Sequence, residues 1–145
     1  MATISAGTDL STRLRLSIAR TARRLRQEGG GDLSPSLSSA LATIARHGPL
    51  TPSELAARER IQRPTATKIL ARLEAPGLVG RTADPVDRRS SIVAVTPAGH
   101  ALLDEQRTRK DAYLARRLRT LAAEDRAALR RAAEILERLL EDEAE

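Results

Sequence analysis

The sequence contains no cysteine, no phenylalanine and no tryptophan in its 145 residues. Without cysteine there can be no disulfide, no thiolate metal site and no thiol redox sensor. No stretch approaches the roughly 20 apolar residues that a membrane span requires, and Met1 to Ala6 lacks the charged and apolar regions of a secretory signal. We therefore expect a cytoplasmic protein that does not enter the membrane.

Tyr113 is the only aromatic residue, so the core must be built from leucine, isoleucine, valine and alanine. That composition favours packed helices, and the length suits one domain with its own core. Single-stranded nucleic acids usually stack on aromatic side chains, which this chain lacks. If the partner is a nucleic acid, a duplex is therefore the better candidate.

The net charge of +6 is unevenly distributed. Residues 58–89 hold eight basic and four acidic side chains, whereas residues 124–145 hold four basic and eight acidic ones. Residues 1–28 are also basic, with six cations against two carboxylates. An excess of this size supports nucleic-acid binding only weakly, because a solvated surface shows the same pattern.

The sequence offers no catalytic centre. Neither His47 nor His100 has a candidate nucleophile at motif spacing, and the two lie 53 positions apart, which does not favour a metal site. The triplet Gly29-Gly30-Gly31 lacks the Lys-Ser/Thr pair and the preceding strand of a phosphate-binding loop, so we interpret it as a flexible connector. We predict no enzymatic activity, no catalytic residue, no metal site and no cofactor.

Apolar residues at three- to four-residue spacing predict a first helix from about Asp9 to Gln27. Ser34 with Pro35 is typical of a helix start, and this second helix ends at His47-Gly48-Pro49. Thr51-Pro52-Ser53-Glu54 forms a capping box for a short third helix through Arg58. The stripe of the first helix consists of Leu10, Leu14, Ile18, Ala22 and Leu25.

A fourth helix begins near Pro64 and runs to about Ala75, before Pro76-Gly77 stops it. At 100° per residue its core face holds Ala66, Ile69, Leu70 and Leu73. Two hydroxyls and two cations point outward near its start, where DNA-reading helices place base contacts. An ordinary solvated face is equally compatible with this helix alone. The outward residues are Thr65, Thr67, Lys68 and Arg72.

Two β-prone runs follow, Leu78 to Thr82 and Ile92 to Val95, and they predict a hairpin. The loop between them carries Asp87 and the adjacent arginines Arg88 and Arg89. We expect Asp87 to hold one guanidinium in place, leaving the other free to meet phosphate or a minor-groove edge. A salt-bridged loop without a partner is the alternative.

From this point the chain resembles the MarR family of winged helix-turn-helix regulators. The resemblance extends over roughly Leu33 to Leu103 and follows the family's order and spacing. It departs at Pro76, where a polar or small residue is more usual, and at the glycine triplet, which suggests a looser connector. The residues that carry it are Leu73-Glu74, Gly77-Leu78-Val79, Arg81, Asp84-Pro85-Val86-Asp87-Arg88-Arg89 and Val95-Thr96-Pro97-Ala98-Gly99.

The resemblance implies a mainly α fold with a small β-hairpin wing, in which a winged helix-turn-helix is flanked by N- and C-terminal dimerisation helices. It also implies one MarR-like domain over residues 1–145, with a DNA-binding lobe at 34–97 and a helical dimerisation region at 9–28 and 98–143. By position, Arg89 matches the wing arginine that enters the minor groove and Asp87 the aspartate that braces it. The expected DNA-binding residues are Arg63, Pro64, Thr65, Thr67, Lys68, Arg72, Asp87, Arg88 and Arg89.

We expect Thr96 to cap a long helix containing Leu102, Leu103 and Tyr113, and a last helix to carry further leucines from Leu129 to Leu140. Folded against a second subunit, these helices would form a two-fold interface, and the DNA site would be pseudo-palindromic. The favoured function is a homodimeric repressor, specific for a double-stranded operator and released by a small anionic or apolar effector. A sequence-tolerant architectural DNA-binding protein and a helical protein-interaction module remain as alternatives.

Overall fold

The computed structural model describes residues 2–141, with side chains from Asp9 onward. The last two residues of the predicted dimerisation region, 142 and 143, lie outside this range, as does the end of the acidic tail. Within it the chain forms six helices and one antiparallel hairpin. The elements are α1 (Ala2–Gly29), α2 (Pro35–His47), α3 (Pro52–Glu59), α4 (Arg63–Glu74), β1 (Val79–Ala83), β2 (Ser91–Val95), α5 (Pro97–Arg119) and α6 (Ala123–Glu141).

The predicted fold class, mainly α with a β-hairpin wing, is confirmed. Helix α1 begins seven residues before the predicted Asp9, because the leucine spacing that identifies this helix starts only at Leu10. The other predicted boundaries agree within about two residues, which is the usual uncertainty of a helix end.

Hydroxyl side chains cap three helices, as the sequence predicts. Ser34 accepts from the backbone N–H of Leu37 at 3.3 Å, and Thr51 accepts from Glu54 at 3.1 Å. Thr96 does the same for α5, at 3.1 Å from the N–H of Gly99. The capping box at α3 is only half formed, since the exposed Glu54 carboxylate stays in solvent instead of bonding back to Thr51. Each cap satisfies a backbone donor that the helix cannot, and so marks where it begins.

The core of the lobe lies where α2, α3, α4 and the hairpin meet. Its most deeply buried large side chains come from all four elements. Val93 of β2 also exchanges two backbone hydrogen bonds with Leu50, at 3.0 and 2.7 Å, which adds a one-residue third strand to the hairpin. The wing is therefore attached to the segment between α2 and α3. The largest of the fully buried side chains are Leu41, Ile44, Leu55, Leu70, Leu73 and Val93.

Helices α1 and α6 leave large apolar side chains uncovered in the single subunit. Leu10 of α1 is 59% exposed, and Leu140 of α6 is 70% exposed. The C-terminal part of α1 packs against α5, where the Arg24 guanidinium lies over the Tyr113 ring at 5.5 Å. None of the helices in residues 2–141 is long and apolar enough to cross a membrane.

The glycine triplet is not the flexible connector that the sequence suggests. Gly29 is buried against Lys110 of α5, and Gly30 and Gly31 have φ values of +71° and +89°. Glycine adopts this left-handed region readily, whereas other residues are strained there. The triplet therefore makes a tight turn against α5. Sequence spacing does not show this because the residues of α5 that the turn meets lie more than 70 positions away along the chain.

Candidate nucleic-acid interface

Helix α4 divides into the two faces that the sequence predicts. Ala66, Ile69, Leu70 and Leu73 are buried. The predicted contact residues of this helix all lie exposed on its remaining surface, and neither Lys68 nor Arg72 forms an ion pair within the described chain. These exposed residues are Arg63, Pro64, Thr65, Thr67, Lys68 and Arg72.

One of these hydroxyls already has an internal partner. Thr67 donates its hydroxyl proton to the carbonyl of Arg63 at 3.0 Å, one turn earlier. Its lone pairs remain available, so toward a ligand Thr67 acts as an acceptor. The side chain of Gln62, at the N-cap of α4, makes no capping hydrogen bond.

The angle between α3 and α4 is held by contacts at the end of α3. The Glu59 carboxylate accepts from Ser39 at 2.8 Å and from Thr43, both on α2. Arg60 then adopts a left-handed conformation, φ 54° and ψ 45°, and its N–H bonds to carbonyls of α3. The Glu59 contacts tie α3 to α2, and the left-handed Arg60 shapes the turn that leads into α4.

At its other end α4 closes with a Schellman motif. The Leu78 N–H reaches the carbonyl of Leu73 at 3.0 Å, and the Gly77 N–H reaches that of Glu74 at 2.8 Å. Gly77 has φ +76°, which explains the glycine at this position. Pro76, the departure from the family pattern, fits this turn without losing any of these bonds.

The wing starts from this turn and is connected to both neighbouring helices. Arg81 of β1 forms an ion pair with Glu74 at the end of α4. Thr96, at the end of β2, donates to the Gly77 carbonyl at 2.6 Å and caps α5. The base of the wing therefore keeps a defined position relative to α4.

The wing loop is shaped by two aspartates that bond to backbone, not to guanidinium groups. Asp84 accepts from the Val86 N–H at 2.9 Å, and Asp87 accepts from the Arg89 N–H at 3.0 Å. Such turns are common at Asp because the carboxylate substitutes for a backbone acceptor. The expectation that Asp87 holds a guanidinium is thus wrong for this structure, since its carboxylate binds the N–H two residues on.

Both wing guanidinium groups consequently remain free. Arg88 and Arg89 are exposed, and no carboxylate in the described part of the chain pairs with either. Val86, at the tip, is 95% exposed, so the loop projects away from the lobe. The structure offers two adjacent cations on a shaped loop, without an internal anion to neutralise them.

The structure also shows a groove that the sequence reasoning missed. It has a volume of about 540 Å³ and lies between the start of α2 and α4. Ser34 and Ser36 line it opposite Lys68 and Arg72. The sequence marks Ser34 only as a cap, and nothing in its local pattern indicates that it lies beside α4.

A second cavity, of about 640 Å³, lies between α2 and α5, away from the wing. Arg46, Arg107 and Lys110 line it together with Asp104, Asp111 and an apolar patch that includes Leu103. Cations outnumber carboxylates in this lining. The sequence reasoning predicted no residue of this cavity, because its lining comes from helices far apart in the chain.

Comparison with known proteins agrees with this architecture. The profile of the MarR family matches residues 33–91. An uncharacterized HTH-type transcriptional regulator of Mycobacterium leprae is 37% identical over 134 residues, covering 92% of this chain and 94% of that protein. The HTH-type transcriptional repressor MdtR of Bacillus subtilis is 31% identical over 93 residues, which cover 64% of this chain and 60% of the repressor.

Among solved structures, a transcriptional regulator from Pseudomonas aeruginosa superimposes with a TM-score of 0.84 at 34% identity. The match covers 92% of this chain and 95% of that one. The fold therefore agrees with that of a solved relative. The chain belongs to the MarR family of winged helix-turn-helix proteins and is a DNA-binding transcriptional regulator.

Proposed function

We propose that this protein is a homodimeric repressor that recognises a pseudo-palindromic duplex site and is released by a small anionic effector. The observation that carries the DNA-binding part is the set of exposed cations on α4 and the wing that pair with no carboxylate in the part of the chain that the structure describes. Unpaired guanidinium groups on a shaped loop fit the negative potential of a narrow minor groove. An exposed helix with hydroxyls and cations fits the major groove.

The proposed contacts divide between positioning and reading. Lys68 and Arg72 lie next to the groove that Ser34 and Ser36 line, which suits a phosphate strand passing along α4. Residues near the start of α4 are placed to reach base edges, and Arg89 to enter the flanking minor groove. The full set of residues proposed to serve DNA binding, by contact or by support of the wing, is Arg63, Pro64, Thr65, Thr67, Lys68, Arg72, Asp87, Arg88 and Arg89.

Asp87 contributes without touching DNA in this proposal. Its hydrogen bond to the Arg89 N–H keeps the loop backbone in the turn that presents the Arg89 side chain. A preorganised loop loses less conformational entropy on binding than a mobile one. Asp87 therefore acts as a brace for the backbone of the wing.

The apolar faces of α1 and α6 support the homodimer. Leu129 and Leu139 of α6 are 50% and 58% exposed, and Ile18 of α1 is 47% exposed. Long amphipathic helices of this kind are stabilised by packing on a partner. A two-fold interface made by these helices would place two copies of α4 in successive major grooves, with half-sites about 34 Å apart.

The cavity between α2 and α5 supports an effector that carries negative charge. Its volume of about 640 Å³ is in the range of small-molecule sites. Arg46, Arg107 and Lys110 offer a carboxylate charge-assisted hydrogen bonds, while Leu103 offers apolar contact. The relative MdtR is named a repressor, so we propose that this protein also represses and that effector binding releases it from DNA.

Selection of bound duplexes from a random pool tests the DNA-binding proposal. We expect recovered sequences to share one palindrome with half-sites about one helical turn apart. Binding spread over all duplexes would instead identify a sequence-tolerant architectural protein. Failure to bind any duplex at low salt would favour a protein-interaction module.

A further inference from the structure

The turn between α1 and α2 depends on one buried side chain of α5. Gln106 is 6% exposed and is the only buried polar or charged side chain in the described part of the chain. Its Nε2 donates to the carbonyl of Gly30 at 3.2 Å. This bond joins residues 76 positions apart and fixes the backbone where α1 ends.

The glycines around this bond leave little freedom to rearrange. A Cβ atom at Gly31 would lie 2.8 Å from Gln106 Nε2, and both Gly30 and Gly31 have positive φ. The carbonyl of Gly30 thus faces α5 in a conformation that few other residues adopt. Gly30 is half-buried, so loss of the Gln106 amide would leave its carbonyl without its side-chain donor and with only partial access to water, which is unfavourable.

Gln106 also lines the cavity between α2 and α5, next to Arg107 and Lys110. Lys110 in turn contacts Gly29 of the same turn. The cavity and the end of α1 therefore share side chains. The exposed apolar residues of α1, which would contact the second subunit, lie from Leu10 to Ile18 in the helix that this turn ends.

From this arrangement we propose that Gln106 is the positioning residue through which an anion in the cavity alters the geometry of the dimer. The proposal rests on the proposed function, because it assigns the route by which the effector acts. A carboxylate beside Arg107 and Lys110 competes with the Gly30 carbonyl for the Gln106 amide and turns this amide toward the cavity, which breaks its bond to Gly30. The turn then relaxes, and α1 changes its angle to the lobe that carries α4. Such a ligand acts only because it prefers the relaxed state.

Distances between the two lobes of the dimer test this route. The chain has no cysteine, so Ser53→Cys on the exposed start of α3 provides one spin-label site per subunit. Pulsed electron paramagnetic resonance then measures the distance between the two labels. We expect Gln106→Met, which keeps the side-chain length but removes the donor, to shift or broaden this distance. Gln27→Met makes the same change at an exposed position of α1 and should leave it unchanged.

DNA affinity provides the second measurement. Gln106→Met should bind the selected duplex about five-fold more weakly, the effect of one lost hydrogen bond on the competent state. Gln106→Glu keeps the volume and also lacks the donor, so it should give the same direction if the Met variant folds poorly. Unchanged distances and unchanged affinity in a folded Gln106 variant would overturn the proposal.

Benzoate serves as the anionic probe, and benzyl alcohol as the uncharged probe of similar size. Benzoate should move the wild-type distances toward those of Gln106→Met and have little effect on that variant, while benzyl alcohol should act weakly. Wild-type distances unchanged by millimolar benzoate, or equal shifts in both proteins, contradict the proposed route. If the wild type binds no duplex but Gln106→Met changes the distances as expected, the proposed function fails and the role of Gln106 stands.

Discussion

Replacing Gly99 with alanine sets two contributions to the free energy of unfolding against each other. Gly99 lies in the first turn of α5, and alanine is favoured over glycine inside a helix by up to about 1 kcal/mol. Helix propensity alone therefore predicts a more stable protein. The surroundings of Gly99 predict the opposite.

The added Cβ would lie 2.6 Å from Cγ1 of Val95 and 3.2 Å from the carbonyl carbon of Leu78, and closer still to the carbonyl oxygen of Leu78. That oxygen cannot move away freely, because it accepts from the Thr96 N–H at 3.0 Å. Inserting a methyl group into a packed site of this kind costs about 1–3 kcal/mol. The steric cost is the larger contribution, so we expect a net loss of about 1–2 kcal/mol, which for a chain of this size lowers Tm by about 2–8 °C.

The assay is thermal and urea unfolding at one fixed protein concentration, since dimerisation makes stability depend on concentration. Gly80→Ala is the matched control, because its Cβ would meet only Thr96 Cγ2, at an ordinary 3.9 Å. We expect that variant to be unchanged or slightly stabilised. A Gly99→Ala protein at least as stable as the wild type would refute the close approach of α5 to Leu78 and Val95.

Four further predictions concern the DNA surface and its support. Arg89→Ala should weaken operator binding by about 1–3 kcal/mol, mainly on duplexes with A·T-rich flanks, whereas equal losses on all flanks would exclude minor-groove reading. Lys68→Ala should weaken binding to all DNA sequences alike and reduce the slope of log affinity against log salt concentration by about one. Arg138→Ala, on the α6 face opposite its leucines, should change neither quantity. Asp87→Ala should reproduce part of the Arg89 loss, measured on the same duplexes, because it frees the wing backbone; unchanged binding would show that the brace is unnecessary. Arg60→Gly should raise the free energy of unfolding, measured with urea, by about 0.5–1 kcal/mol. Glycine relieves the left-handed strain at this position, and this gain exceeds the extra entropy that glycine gives the unfolded chain. A lower free energy of unfolding would contradict the φ of 54°.

Features that depend on neighbouring residues were predictable from the sequence. The buried and exposed faces of α4 follow from spacing at 100° per residue, and the caps at Ser34, Thr51 and Thr96 follow from local hydroxyl chemistry. The hairpin follows from two β-prone runs. These patterns were sufficient for the fold class and for the position of the candidate DNA surface.

Features that depend on distant residues were not predictable. The glycine triplet looks like a linker until α5 is placed against it. Ser34 and Ser36 become neighbours of Lys68 only when α2 packs beside α4.

The carboxylate of Asp87 had two possible partners in its own loop, and the loop conformation selected the backbone N–H of Arg89 over a guanidinium.

The sequence by itself determined where the helices and strands of the winged lobe lie, which sides of α4 are apolar and polar, and that the wing is cationic. Capping, periodicity and turn chemistry act over at most a few residues, so they can be read along the chain. Only the tertiary structure decided what the glycine turn contacts, which side chains share the cavity between α2 and α5, and that the wing arginines have no counterion among residues 2–141. The first two outcomes depend on elements that lie 50 or more residues apart and meet only because burying their apolar faces brings them together. The third depends on the conformation of the wing loop, which directs Asp87 to the backbone N–H of Arg89.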